Sequence, residues 1–139
     1  MANVNLESKP LPQGAVVEVP KVALWLQTSA ANFQVLDNVN ICRNTDGLAK
    51  ATSCLFKQFA TEVTCAPSQN RVTAIHFNRP SVVPVEKGWI VDLIPVHIVE
   101  NAVMVENQQL DANHYVRLTK ETSVSGNFFA VLLLSQLST

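Results

Sequence analysis

Three histidines, His76, His97 and His114, and one carboxylate set between isoleucines, Asp92, are the residues of this chain whose types could carry chemistry. Imidazole changes charge near neutral pH and is the commonest metal ligand. A carboxylate beside it could serve as a general base or orient the ring. Each histidine falls within a strand-like segment, so the three could meet only across a sheet. The His-x-His spacing of a cupin-type metal site is absent. Asp92, His97 and His114 form the candidate hidden polar site, against the plainer reading that each histidine is hydrogen-bonded or solvated.

Cys42, Cys54 and Cys65 stand almost evenly spaced with His76. Structural zinc sites take ligands in close pairs, about two to five residues apart, and no such pair occurs. The cysteines read as reduced thiols and small hydrophobes. No G-x-S-x-G, P-loop, G-x-G-x-x-G or H-E-x-x-H occurs, and the glycines at 14, 47, 88 and 126 build no phosphate-cradling loop. The expectation is no metal, no cofactor and no catalytic residue, with an enzyme left open because catalytic groups assemble in space.

Nucleic-acid binding needs a basic stripe that displaces counterions. The ten basic residues run unclustered from Lys9 to Lys120, and the net charge is −1. The best candidates for a nucleic-acid-binding sheet face are Arg71 with Phe77 and Arg117 with Tyr115, each pairing a cation with an aromatic ring on one strand face.

The elements that must position these residues are mostly strands. The 139 residues suffice for one domain with its own core. Residues 1–14 read as an extended arm, with Pro10, Pro12 and Gly14, ahead of a β-rich domain over 15–139. Residues 15–19 and 22–27 read as two strands, the second apolar on both faces and therefore central. Residues 33–42 alternate around a turn at Asp37-Asn38. Asn44, Thr45 and Asp46 are good N-cap residues. Beyond them Leu48, Ala51, Leu55 and Phe59 recur at helical spacing, which predicts one short amphipathic helix over 46–60. Residues 62–66 return to strand, and 67–70 read as a turn.

In 71–77, Arg71, Thr73, Ile75 and Phe77 share one strand face and Val72, Ala74 and His76 the other. The stretch 81–106 is dense in valine and isoleucine, which favour a pleated surface. It reads as a strand containing Pro84, a strand over 89–94, and a hairpin turning at Glu100-Asn101 that pairs His97 with Met104. Asp92 must then be exposed, or buried with a partner. Residues 107–112 read as a loop and 120–126 as a turn. Between them 113–119 alternates, with Tyr115, Arg117 and Thr119 opposite His114, Val116 and Leu118. The final strand, 128–134, is apolar on both faces and must be central, inserted between earlier strands.

The fold class is therefore all-β: an antiparallel β-sandwich or jelly-roll-like barrel of about 8–10 strands with one short helix. Charged residues make up 15% of the chain against about 25% typically. Interface cores are depleted in Lys, Glu and Asp. Low charge, two doubly apolar strands and a Pro-rich arm point to a non-enzymatic structural or assembly subunit that forms a homo-oligomer, with a virus or phage particle component as its concrete form. The alternative is a binding module for single-stranded nucleic acid or a small ligand on a sheet face. The N-terminus shows no signal peptide, and the longest apolar run, 128–134, is too short to cross a bilayer. No membrane partner is expected, and the location is cytoplasmic or virion.

Overall fold

A computed structural model describes residues 8–36, 39–62, 70–106 and 108–136. The described residues form nine strands and two α-helices: β1 (Ser8–Pro10), α1 (Gln13–Leu26), β2 (Phe33–Leu36), β3 (Val39–Cys42), α2 (Thr45–Glu62), β4 (Asn70–Phe77), β5 (Ser81–Val83), β6 (Trp89–Val105), β7 (Gln108–Leu110), β8 (His114–Leu118) and β9 (Thr122–Gln136). Every pairing is antiparallel. The order is β1-β8-β6-β9-β4-β3-β2, with β5 also paired to β9 and β7 to β6. The sheet stays open, and the sandwich-like all-β class holds, with apolar residues buried on both faces.

Helix α2 covers the first face. Its Leu48, Thr52, Leu55 and Phe59 are buried at successive turns, while Lys50, Ser53 and Lys57 face water. Asn44 caps it, its Oδ1 accepting the Gly47 amide at 3.0 Å.

Helix α1 replaces the two strands expected over 15–19 and 22–27. Ala15, Val19, Val22, Ala23 and Leu26 are buried, at a helical period. Valine disfavours helix only weakly, whereas an interior proline costs about 3 kcal/mol through a lost hydrogen bond and a steric clash. Pro20 lies on the exposed side of α1. Burial of Val19, Val22 and Leu26, at about 1.5–3 kcal/mol each, outweighs that cost. Of the apparent two-faced strand, Val22, Ala23 and Leu26 turn inward on the helix, while Leu24 is left exposed.

Within 81–106 the first expected strand is present as β5, Ser81–Val83, ending just before Pro84, whereas the expected strand over 89–94 and the hairpin after it are one 17-residue strand, β6. Glu100-Asn101 is not a turn. His97 pairs with Phe129 rather than Met104, and Met104 pairs with Ser125. The Asn-Gly that sets a two-residue turn is missing, and β9 offers a partner of 15 residues over the whole length. Register shifts after Pro95, Ile98 and Glu100 bend β6. Both ends of the bent strand, Val91 and Leu93 at one and Val103 and Val105 at the other, reach the same second core.

β9 lies between β4 and β6, as its two-faced apolar pattern requires. It begins at Thr122, so the expected turn over 120–126 is largely strand. The expected loop over 107–112 contains β7. Strand β4 has the expected faces: Val72 and Ala74 pack in the first core, Ile75 and Phe77 in the second. Glu62, expected to open a strand over 62–66, instead ends α2, and Asn70, expected in a turn over 67–70, opens β4; the rest of those two segments and the turn at Asp37-Asn38 lie outside the described residues.

Candidate functional site

Asp92 and Arg117 face one another across β6 and β8 in direct register. The carboxylate is fully buried, and Arg117 donates to both its oxygens, Nε to Oδ1 at 2.8 Å and Nη2 to Oδ2 at 3.2 Å. Burial pushes the Asp92 carboxyl above its ordinary range. The Arg117 hydrogen bond and charge, and more weakly Lys9, pull the other way. With both oxygens taken by the guanidinium fork and no exposure, this carboxylate is built to join strands rather than to meet a substrate.

His97 and His114 do not join it. His97 sits on the same face of β6, roughly 15 Å along the strand by ordinary strand rise, opposite Phe129. His114 lies on the opposite face of β8, at the strand's start, with its Nδ1 3.0 Å from the Ala112 carbonyl oxygen. The three residues singled out as a hidden polar site are thus apart. No group of three or more potential metal-binding side chains occurs among the described residues. Cys42 is buried with its thiol 3.0 Å from the Ala31 carbonyl oxygen, Cys54 is exposed, and Cys65 lies outside the described residues.

The four residues considered for nucleic acid also separate. Phe77 is buried in the second core and Tyr115 in the first, where it meets Phe59 edge-on at 4.9 Å. Arg117 holds Asp92. Of the four, Arg71 is exposed, its guanidinium carbon 5.5 Å from the centre of the Trp89 ring. Neither aromatic ring offers a face on which a base could stack.

Two concave features were invisible in the sequence. One is a shallow recess of ≈ 670 Å³ beyond the end of α1, whose described lining residues include no carboxylate, lysine or arginine. Asn40, His76, Phe129 and His97 stand there in one rank across β3, β4, β9 and β6. The His76 and Phe129 rings stack at 4.1 Å and 5°, and His97 tilts against the far side at 6.0 Å. His76 Nε2 lies 2.8 Å from Asn127 Oδ1. The rank exists only through strand register, so no local spacing announces it.

The other is an apolar groove of ≈ 370 Å³ on the second face. Its floor is Ile41, Thr73, Ile75 and Leu132, and its wall is the segment from Val82 to Pro84. The helices cover only the first face, and the curled half of the sheet reaches only part of the second, so this strip of β3 and β4 is left open. At one end it shares Pro84, Val91 and Leu134 with a smaller pocket of ≈ 170 Å³ that adds Arg71, Glu86 and Trp89.

No protein-family model matches this chain, and no curated protein shows significant similarity to it. No helix among the described residues is long and apolar enough to cross a membrane.

Proposed function

We propose that this protein is a non-enzymatic structural subunit that assembles with copies of itself through the outer edge of β2. The observation carrying this reading is the chemistry of that edge. β2 is paired only to β3, and among the described residues no strand lies on its other side. Its sequence, Phe-Gln-Val-Leu, has no charge and no proline, and its pairing to β3 runs without a bulge. Natural edge strands carry such features to prevent pairing with another chain; only shortness guards this one. Val35 stands 71% exposed on it. Antiparallel pairing of β2 with β2 of a second copy would satisfy the open amides and cover Val35. A virus or phage particle component remains the concrete form, resting on the low charge of the chain. Sedimentation of wild type and of Val35→Lys tests it: wild type should associate with rising concentration and the variant should not. A wild-type protein monomeric at high concentration would overturn it.

A second reading, a module holding a small ligand on its sheet face, is favoured by the apolar groove. Its volume lies within the range of about 300–1,000 Å³ of small-molecule sites.

A further inference from the structure

We propose that the groove on the second sheet face takes a medium-chain carboxylic acid, its alkyl chain over β4 and β9 and its carboxylate on Arg71. This inference rests on the ligand-binding reading and adds the chemistry of the ligand.

Two features of the groove decide that chemistry. Along its length the lining is apolar, Thr73 supplying the one side-chain polar atom among the lining residues. A ligand lying there must have no polar group to satisfy, because a buried unpaired polar group is costly. A single alkyl chain meets that condition and suits a narrow volume of ≈ 370 Å³. Exposed Val82, on the wall, would gain cover from it.

The end of the groove changes character. Arg71 is the first of the β4 residues on this face, and it stands in one rank with Leu134 and Val91. Those two residues line both the groove and the end pocket, so a chain leaving the groove passes directly to Arg71. Among the described residues the guanidinium has no carboxylate partner; its neighbour is the Trp89 ring. A ring beneath the cation holds the guanidinium while leaving its N–H fork free. That fork matches one carboxylate in a two-point contact. Glu86 lines the same pocket and is exposed. Its charge opposes an anion there, so Arg71 dominates only through direct contact, and removing Glu86 should strengthen binding.

A second copy of the chain is the less suited occupant. A concave strip of this size offers little of the area, about 800 Å² per partner, that a stable interface buries. An apolar protein surface would also leave Arg71 unpaired.

Titration calorimetry at neutral pH, with decanoate below its micelle concentration and decanol below its solubility limit, tests the proposal. Wild type should bind one decanoate, and bind decanol about tenfold more weakly, as expected for loss of one charge-assisted pair. Arg71→Gln should bring decanoate down to the decanol level, and Glu86→Gln should raise it. Methyl resonances of Ile41 and Ile75 should shift with both ligands, which locates the chain without relying on a variant. Equal binding of the two ligands, or an unchanged affinity in Arg71→Gln, overturns the assignment of the head group and leaves the groove reading standing. Binding of neither, or binding that leaves both isoleucines unshifted, overturns the groove reading and the inference together.

Discussion

Arg117 on β8 holds Asp92 on β6 in a two-point fork, with the carboxylate at zero exposure and the guanidinium side chain 35% exposed. The pair lies in register between two strands of the central sheet, on the face that carries Ile94 and Tyr115. Removing a partner from a buried pair leaves an uncompensated charge and costs about 3–5 kcal/mol. Arg117→Met should therefore lower the urea-unfolding free energy by that order. Replacing both, Asp92→Leu with Arg117→Met, should recover most of the loss, because packed apolar residues often equal a buried ion pair. A double variant no better than Arg117→Met would show that the pair is not the source of the effect.

The same carboxylate makes stability depend on pH. Burial holds its folded pKa above the ordinary 3.8, the Arg117 fork offsetting burial only in part. The folded protein then keeps this proton to higher pH than the unfolded chain. The contribution is fully present below 3.8 and is lost as pH rises through the raised pKa. On acidification from neutral pH, wild type should gain stability relative to Asp92→Asn. A gap moving the other way would show that the Arg117 fork, not burial, governs the titration.

Gly126 sits on β9 where β6 carries extra residues between Glu100 and Met104, with a backbone φ of +118°. A Cβ there would stand 2.9 Å from the Ala102 carbonyl oxygen. Both the dihedral and the close approach require glycine. Gly126→Ala should cost about 1–3 kcal/mol, the usual range for a strained backbone position. Gly88→Ala shares the positive φ but meets no atom within 4 Å, so its loss should be smaller. Equal losses in thermal melts would assign the whole effect to the dihedral.

Pro20 withholds an amide from the middle of α1 while facing solvent. Pro20→Ala should stabilise the protein by about 2 kcal/mol, the helix-interior penalty of about 3 kcal/mol less about 0.4–1 kcal/mol of added freedom in the unfolded chain. A neutral or destabilising outcome in chemical denaturation would show that the proline is used by the fold.

Cys54 is exposed and Cys42 is buried, its thiol raised in pKa by burial and its hydrogen bond to the backbone in place. Only a thiolate reacts readily with a thiol reagent. In a Cys65→Ser background, native protein should therefore label rapidly at one thiol and release the second only on unfolding. Two rapid thiols would mean that the end of β3 holding Cys42 opens readily.

Local period decides which side of an element is apolar, and at those positions the residues alone were enough. Leu48, Leu55 and Phe59 declared α2 by their spacing, and Ile75 opposite Ala74 declared the two faces of β4. The double-faced run from Phe128 to Leu134 could be placed only in the centre of a sheet, and it is there. Asp92, flanked by isoleucines, declared that a partner was needed if it were buried. Which residue answered it was beyond local reading, since Arg117 is brought opposite only by the register of β8 on β6. The same is true of the rank joining His76, Phe129 and His97, and of Arg71 at the mouth of the groove. In α1 and β6 local preference misled outright. Valines suggested strands where burial against α2 made a helix, and Glu100-Asn101 suggested a turn where β9 offered a long partner. Side-chain period is a property of neighbours in the chain. Register, curvature and the surfaces left open belong to segments far apart, and their free energy exists only once those segments have packed.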